Sequence, residues 1–358
     1  MRIFNNKKQY TYYLVFIVIF ILMNVGLTFF LCPAKGASEK VWDAYYDDAK
    51  NVDTLFCGSS LIACSVNPFV YDDIAGTNSF NFGTPCQHIN QSIEAIEKVV
   101  EDHPLQNIVL SVDYGELCAS TNINAKAAFQ QAEIKHWPFW DKVKFVATQV
   151  FSKDFFFHPE SINYLFPWIY NNVSMSPNLI LSNVRTKIGL QSTGELDDYI
   201  GKGYSRNDKF LSENTDSVMK NQWEEYGKLN LDTVDIITGL KKWCDERDIC
   251  LIVIVTPHPR FDIVPSFEVY YSFYHQLEEV LSGHDIAFYD FNLLKQEIFT
   301  FDNSLFSDYE HMNTDGASVF SSILAKFVTD TNVERSEYFY DYVEYMSLFC
   351  VDNELFSE

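Results

Sequence analysis

Short apolar runs and amphipathic segments alternate along two stretches of the chain, and this alternation predicts a layered α/β fold. Five runs have the length and flanking turn residues of buried strands; they cover residues 54–57, 79–82, 107–112, 249–255 and 286–289. The segments between them repeat apolar residues at helical spacing, for example at Ile89, Ile93 and Ile96. Strands and helices joined in this order by short connections are typical of a parallel sheet with helices on its faces.

Turn and capping residues mark where the predicted helices begin and end. Asn67-Pro68 is expected to start a helix after the first strand, and His103-Pro104 to stop the helix before the third strand. Asn313 or Thr314 is expected to cap a closing helix over residues 314–327. The loops that directly follow the predicted strands lie at the carboxyl edge of the sheet, where open α/β sheets hold their ligands.

The amino-terminal residues carry a pattern of a different kind. From residue 12 to residue 32 the chain is almost wholly apolar, about the length that crosses a bilayer as a helix. Arg2, Lys7 and Lys8 precede this stretch without an acidic residue among them. The positive-inside rule then predicts a cytoplasmic segment 1–11, a membrane-spanning helix 12–32 and a main domain outside the cytoplasm.

A cleaved signal peptide is the competing interpretation, because the small residues Ala34 and Gly36 could form a cleavage site. The apolar region of a signal peptide usually runs only about 7–15 residues, so the sequence favours an uncleaved anchor. Residues 33–52 would then form a juxtamembrane segment. Because no Gly/Ser-rich spacer follows the anchor, the main domain is expected to lie close to the membrane.

The alternation stops between residues 118 and 232, where aromatic residues become dense, as in His136-Trp137-Pro138-Phe139-Trp140 and Phe166-Pro167-Trp168. This stretch is too long for a loop, so it predicts a structured, helical insertion in an α/β domain that covers residues 53–330. Such insertions commonly shape substrate pockets, and packing against the main domain or the membrane explains this one equally well. Residues 331–358 form an acidic and aromatic tail.

Charge, cysteines and histidines exclude several classes of function. The net charge of −23 argues against nucleic acid and against adsorption to an anionic membrane surface. The eight cysteines include no C-x-x-C pair, and Cys57 and Cys250 are expected to be buried within strands. The histidines show no metal-ligand spacing and no Gly-rich phosphate loop is present, so neither a metal nor another cofactor is expected.

Two short motifs carry candidate catalytic chemistry. The first strand breaks at Gly58-Ser59-Ser60, which can place a hydroxyl in an exposed turn at the carboxyl edge of the sheet. By itself this motif also fits an ordinary turn in which a serine caps the next helix. The second motif, Asp308-x-x-His311, offers an imidazole base and a carboxylate to orient it. A serine nucleophile needs such a pair, although surface loops also contain it by chance.

Together the motifs resemble those of the SGNH/GDSL-type hydrolase superfamily. Gly58-Ser59-Ser60-Leu61 stands where that family has its Gly-Asp-Ser-Leu block, and Asp308-Tyr309-Glu310-His311 matches its Asp-x-x-His block. Gly83, in Asn81-Phe82-Gly83-Thr84, stands where the family has an oxyanion-hole glycine. The resemblance covers about residues 53–113 and 230–328, and it implies a three-layer, flavodoxin-like parallel sheet.

The resemblance also implies a role for each matching residue. Ser60 would be the nucleophile, His311 the general base and Asp308 the residue that orients the base. The backbone N–H groups of Ser60 and Gly83 would bind the oxyanion, and losing one such donor typically costs about 10²–10³ in turnover.

One departure from the family pattern concerns the oxyanion hole. The family's third block supplies an Asn side chain, whereas this chain has Asp113, whose carboxylate would repel an oxyanion. Asn81 and Gln87 are nearby amides that could donate in its place. His258 and Arg260 follow the fourth strand and could, like Asp113, contact a substrate, although the prolines beside them favour a structural turn.

The anchor, the serine doublet and the long insertion resemble the membrane-anchored branch of this superfamily, which includes DltD-like proteins of teichoic acid D-alanylation and proteins of polysaccharide O-acetylation. This resemblance implies a serine O-acyl esterase or acyltransferase at the cell membrane. Its substrate would be a cell-envelope glycan or polymer, and its partner a multi-pass membrane O-acyltransferase. The net charge of −23 favours a neutral glycan over an anionic teichoic acid. The alternative is a non-catalytic accessory or polymer-binding protein that keeps the fold without a complete oxyanion hole.

Overall fold

The computed structural model describes eight segments of the chain, residues 6–34, 36–118, 123–150, 159–169, 176–191, 198–211, 228–330 and 334–350. Their residues divide into two compact units. The helical unit lies within residues 1–40 and 123–197, and the sheet unit lies within residues 41–122 and 198–358. The remaining parts of the predicted insertion and of the acidic tail lie outside the described residues.

Five of the strands in the described segments form one parallel sheet. In chain order the strands are β1 (Thr54–Cys57), β2 (Ser79–Asn81), β3 (Asn107–Ser111), β4 (Tyr199–Gly201), β5 (Tyr204–Ser205), β6 (Cys250–Val255) and β7 (Ala287–Asp290). The sheet order is β2-β1-β3-β6-β7 with every pair parallel, while β4 and β5 form an antiparallel hairpin. This is the strand order of flavodoxin-like folds, so the predicted fold class is confirmed.

Helices connect the strands and build the helical unit. In chain order they are α1 (Asn6–Leu31), α2 (Ala37–Asp48), α3 (Ser60–Ser65), α4 (Pro68–Ala75), α5 (Ile89–Asp102), α6 (Tyr114–Cys118), α7 (Ile123–Ile134), α8 (Phe139–Val150), α9 (Pro177–Lys187), α10 (Leu231–Asp245), α11 (Arg260–Ile263), α12 (Phe267–Gly283), α13 (Thr314–Thr329), α14 (Arg335–Tyr338) and α15 (Tyr342–Phe349). Short 3-10 helices occur at Pro159–Tyr164, Pro167–Ile169, Val264–Ser266, Phe291–Leu293 and Asn303–Leu305.

Helices cover the sheet on both faces. Neighbouring strand residues point to opposite faces, and Leu55 and Phe56 of β1 are both fully buried. Helix α10 packs against α5, and α13 packs against α3 and α4. The apolar stripe of α5 that the sequence predicted, including Ile89 and Ile96, is fully buried. The core therefore lies between the sheet and these two groups of helices.

Most predicted boundaries are confirmed. Asn67 caps α4 by accepting the Phe69 N–H at 3.1 Å, and α5 ends at Asp102 with His103 as its C-cap. Asn313, rather than Thr314, caps α13. The prediction that Cys250 is buried is wrong, because this residue is the first of β6 and its side chain is exposed.

One helix among the described residues is long and apolar enough to cross a membrane. It comprises residues 9–31 of α1, with a mean hydropathy of 2.8, and its side chains are almost all exposed. The Asn183 side chain on α9 donates to the Phe30 and Cys32 carbonyls at 3.1 and 2.7 Å. The Lys187 ammonium donates to the Phe29 and Cys32 carbonyls, both at 2.6 Å. The last carbonyls of a helix lack intrahelical partners, so α9 caps this end of α1.

A buried polar network joins the carboxyl ends of β6 and β7. The Asp290 carboxylate accepts hydrogen bonds from the Tyr270 hydroxyl at 2.5 Å and from the Asn292 N–H at 3.0 Å. The Asn292 side chain accepts the His258 N–H at 2.6 Å and donates to the Thr256 carbonyl at 3.1 Å. Burial raises the pKa of Asp290 to about 6, although the hydrogen bonds from Tyr270 and Asn292 oppose this rise.

The raised pKa of Asp290 makes the stability of the protein depend on pH. Between the ordinary pKa of 3.8 and the folded value of about 6, the folded state binds more protons than the unfolded state. The free energy of unfolding therefore falls as the pH rises through this interval. An Asp290→Asn variant has no carboxyl group to titrate here. Compared with this variant, the wild type should lose about 3 kcal/mol of unfolding free energy over the whole titration, from well below pH 3.8 to well above pH 6. Urea unfolding of both proteins measures this, and a pH-independent difference contradicts it.

Candidate active site

The turn after β1 positions Ser60 at the start of α3. Gly58 has a φ of +146°, and a Cβ there would lie 2.6 Å from the Ser111 carbonyl oxygen, so glycine is required between β1 and β3. Ser59 caps α3, because its hydroxyl accepts the Leu61 N–H at 3.3 Å. The capping role expected of a serine in this turn thus belongs to Ser59, and the Ser60 hydroxyl serves another partner.

His311 lies in a tight loop that precedes α13. An antiparallel bridge between Phe306 and Met312 closes this loop. Within it, Asp308 Oδ1 accepts the N–H groups of Glu310 at 3.0 Å and His311 at 2.9 Å. The carboxylate expected to orient the imidazole therefore also fixes the backbone that carries the imidazole.

A segment from the predicted insertion braces this loop. Residues 207–211 belong to the sheet unit. The Asn207 N–H donates to the Thr314 hydroxyl and the Thr314 N–H donates to the Asn207 carbonyl, both at 2.8 Å. The Leu211 N–H donates to the Phe306 carbonyl at 2.9 Å. Sequence reasoning missed this contact because backbone groups make most of it, and backbone groups leave no residue pattern.

Ser60, His311 and Asp308 form a hydrogen-bonded chain. Ser60 Oγ lies 2.8 Å from His311 Nε2, although the two residues are 251 positions apart. His311 Nδ1 lies 2.9 Å from Asp308 Oδ1 and 3.1 Å from Oδ2. Because an ionised carboxylate only accepts hydrogen bonds, we assign the ring proton to Nδ1, which leaves Nε2 to accept the serine proton. In this geometry an imidazole can activate a hydroxyl.

The electrostatic surroundings favour an ionised Asp308. Burial disfavours its carboxylate, but hydrogen bonds from the His311 ring and from the Glu310 and His311 N–H groups prevail and lower the pKa of Asp308. Burial raises the pKa of Glu310, while the imidazoles of His311 and His258 oppose this rise. Asp308 can therefore stabilise the imidazolium that forms when His311 takes a proton.

The expectation that Gly83 and Asn81 donate to the oxyanion is corrected, because the N–H groups concerned already have other acceptors. The Gly83 N–H donates to Asn81 Oδ1 at 3.0 Å. Asn81 Nδ2 in turn donates to the Ile62 and Val66 carbonyls at 3.0 and 2.9 Å. Asn81 is fully buried, so its side chain ties β2 to the end of α3 and has no N–H left for an oxyanion. The expected Ser60 N–H lies at the first position of α3, where an N–H group has no intrahelical acceptor.

Gln87 and Asp113 also have structural partners. Gln87 Oε1 accepts the Thr84 hydroxyl at 2.8 Å, and its Nε2 donates to the Ser92 hydroxyl at 3.0 Å. Asp113 Oδ1 accepts the Glu116 N–H at 2.7 Å and so holds the first turn of α6. Asp113 therefore serves the turn after β3, a role that the asparagine of the family pattern could also fill.

His258 is buried and pairs with a carboxylate, so it is not exposed to a substrate. Its Nδ1 lies 3.0 Å from Asp262 Oδ2, and both side chains are nearly inaccessible. Burial disfavours the imidazolium, but the hydrogen bond and charge of Asp262, together with Glu310 and Asp113, raise the pKa of His258 overall. The expected substrate contact is thus replaced by a buried His–Asp pair.

Arg260 has aromatic neighbours. Its guanidinium lies 3.7 Å from the centroid of the Phe349 ring and 5.0 Å from that of Phe301, within cation–π range. The first contact attaches α11 to α15, and the second attaches it to the loop that carries Phe301. Among the described residues, no group of three or more His, Cys, Asp or Glu side chains is arranged to hold a metal ion.

Fold and site together define an α/β protein with a Ser–His–Asp chain at the carboxyl edge of a parallel sheet. No protein-family model matches the sequence, and no curated protein matches it. Solved structures to which the chain is similar include a proposed acylhydrolase from Bacteroides fragilis, a GDSL-like lipase from Bacteroides thetaiotaomicron and a proposed platelet activating factor from Streptococcus pneumonia.

These similarities are distant. The three structures are 10%, 11% and 9% identical to this chain, with TM-scores of 0.35, 0.35 and 0.34. The matches cover 81%, 80% and 82% of this chain and 93%, 96% and 91% of the other chains. The chemistry of the site therefore follows from its own geometry.

The hydrogen bonds of Asn81 distinguish a structural role from a catalytic one. Asn81→Ala removes the amide donor from the Val66 carbonyl and the Oδ1 acceptor from the buried Gly83 N–H, so we expect the free energy of unfolding to fall by about 2 kcal/mol. An oxyanion donor would instead lose about 10²–10³ in turnover at unchanged stability. Thermal unfolding and ester hydrolysis measured on the same preparation separate the two. An unchanged melting temperature with a turnover loss of that size would contradict the structural role.

Proposed function

We propose that this protein is a membrane-anchored serine O-acyl esterase or acyltransferase in which Ser60 is the nucleophile. The observation that carries the proposal is the continuous hydrogen-bonded chain from Ser60 Oγ through the His311 ring to the Asp308 carboxylate, at 2.8 and 2.9 Å. A serine hydroxyl held this way by an oriented imidazole is the arrangement that acyl transfer requires.

The first half of the reaction forms an acyl-enzyme. Ser60 Oγ attacks the ester carbonyl of the donor while its proton passes to His311 Nε2. Asp308, hydrogen-bonded to Nδ1, stabilises the resulting imidazolium. The oxyanion of the tetrahedral intermediate is bound by the Ser60 N–H at the start of α3. When the intermediate collapses, the C–O bond to the leaving alcohol breaks and His311 returns the proton to that alcohol.

The second half of the reaction distinguishes an esterase from a transferase. A water molecule or the hydroxyl of an acceptor attacks the acyl-Ser60 carbonyl and gives its proton to His311 Nε2. Collapse of the second intermediate restores the Ser60 hydroxyl and releases either a free acid or an acylated acceptor. Both outcomes use the same three side chains, so the acceptor decides between them.

The proposed location is the outer side of the cell membrane, with residues 9–31 as an uncleaved anchor. The Asn183 and Lys187 side chains hydrogen-bond carbonyls at the end of α1, which supports this choice. Cleavage after the apolar stretch would remove these partners from both side chains. A cell-envelope glycan as substrate and a multi-pass membrane O-acyltransferase as partner complete the proposal, and the net charge of −23 favours a neutral glycan.

The engaged donors Gly83 and Asn81 favour a second candidate, a non-catalytic accessory protein that binds the polymer. With the Gly83 N–H and both Asn81 N–H groups already paired, the oxyanion would depend on fewer donors than the resemblance implied. A protein of this kind would keep the fold and the hydrogen-bonded Ser60 without turning over an ester.

Labelling with a serine-reactive fluorophosphonate tests the proposed function. The adjacent serines provide a matched pair of variants, because Ser59 caps α3 and Ser60 contacts His311. We expect the wild type and Ser59→Ala to be labelled and Ser60→Ala to remain unlabelled. Loss of the cap should cost Ser59→Ala about 1 kcal/mol of stability without removing the nucleophile.

Two results would reject the catalytic assignment. Labelling that persists in Ser60→Ala would place the reactive serine elsewhere. A folded wild type that takes no label would favour the accessory protein.

A further inference from the structure

The apolar helix α1 contains an amide side chain within its span, towards its carboxyl end. Asn24 lies within residues 9–31, the stretch that is long and apolar enough to cross a membrane. No water is available inside a bilayer to hydrogen-bond such an amide, so an asparagine at this depth needs partners from the protein.

The partners of Asn24 come from the aromatic insertion. Asn24 Nδ2 donates to the Leu165 carbonyl at 2.9 Å, and the Trp168 indole N–H donates to Asn24 Oδ1 at 2.7 Å. One turn deeper, the ring of Phe166 meets the ring of Phe20 edge to face, with centroids 5.7 Å apart. Residues 165–169 therefore lie along the side of α1, and we call them the docked segment.

The depth of these contacts in the bilayer can be derived from the two ends of the apolar stretch. Lys7 and Lys8 come before the apolar stretch, so a span of about 20 residues runs from residue 9 to about Thr28. The Lys187 ammonium, which donates to the Phe29 and Cys32 carbonyls, marks a polar level just beyond that end. With a rise of about 1.5 Å per residue, Asn24 lies about 6 Å and Phe20 about 12 Å inside the hydrocarbon region.

The backbone of the docked segment suits an apolar environment. The N–H groups of Leu165 and Phe166 both donate to the Ile162 carbonyl, at 3.0 and 2.9 Å. The Ile169 N–H donates to the Phe166 carbonyl at 3.0 Å, and Pro167 has no N–H to satisfy. Asn24 satisfies the Leu165 carbonyl. These bonds pair part of the segment's backbone within the protein, and irregular backbone at membrane depth needs such partners because the hydrocarbon offers none.

The side chains of the docked segment also match a lipid surface. Leu165, Phe166, Pro167 and Trp168 are partly exposed, and Ile169 is 36% exposed. The helix beside them leaves almost all of its apolar side chains uncovered. The docked segment thus adds partly exposed apolar side chains next to the apolar helix surface that α1 offers to the hydrocarbon chains.

From these observations we infer that residues 165–169 insert into the outer leaflet beside α1 and contact lipid acyl chains. This inference rests on the proposed membrane location of α1 and goes beyond it. The helical unit then has two membrane-embedded elements, a spanning helix and a short re-entrant segment that the Asn24 amide holds in place. This part of the aromatic insertion accordingly binds the membrane and does not line the substrate pocket.

Photo-crosslinking to lipid tests this placement. The full chain is reconstituted in phosphatidylcholine vesicles with p-benzoylphenylalanine at a single position, and lipid adducts are detected by mass spectrometry. The probe replaces Ile169 in the docked segment, Phe16 in the middle of α1, or Phe210 in the sheet unit. All three side chains are exposed, at 36%, 67% and 62%, so each probe can react with its surroundings.

We expect lipid adducts at positions 169 and 16 and none at position 210. Adducts at 16 but not at 169 would overturn the insertion of the docked segment while leaving the anchor intact. An absence of adducts at 16 would overturn the membrane location itself, and the inference with it.

An Asn24→Leu variant tests the tie between α1 and the docked segment. This change removes both hydrogen bonds but keeps the helix apolar, so the adduct at 169 should be lost while the adduct at 16 persists. Unchanged labelling at 169 in this variant would overturn the role of Asn24.

Discussion

The hydrogen bond between Ser60 Oγ and His311 Nε2 joins two loops that are 251 positions apart, and the candidate site depends on it. It can form only because β1 and β7, the last strand before the His311 loop, end at the same edge of one parallel sheet. Gly58 allows the first loop to leave β1 directly against the Ser111 carbonyl, where any Cβ would collide. The second loop is held by the Asp308 carboxylate, which accepts two backbone N–H groups as well as the imidazole.

Most of the sheet could be predicted from the sequence because its strands are largely buried. Such strands appear as short apolar runs between turn residues, and five runs predicted a parallel sheet, while its flavodoxin-like architecture was implied by the family resemblance. The exposure of Cys250 could not be read from its run, since the first residue of a strand shares the composition of the strand without sharing its burial.

The site was harder to predict because a motif gives residue types and not hydrogen-bond partners. The structure brings Ser60, Asp308 and His311 together as the motifs indicated. In the structure the Asn81 side chain donates to two carbonyls at the end of α3, and the Asp113 carboxylate accepts an N–H in the first turn of α6. Neither hydrogen-bonding role can be recognised in the local sequence. Donors expected to face the substrate therefore stabilise the turns around it.

The central claim is that Ser60 becomes acylated through His311, and trapping the acyl-enzyme tests it most directly. The wild type is mixed with a chromogenic acetate ester and quenched rapidly in acid, and the peptide that contains Ser60 is analysed by mass spectrometry. We predict one acetyl group on Ser60 in the wild type and none in His311→Ala at the same time of quenching. An unmodified Ser60, or equal acetylation in both proteins, would contradict the claim.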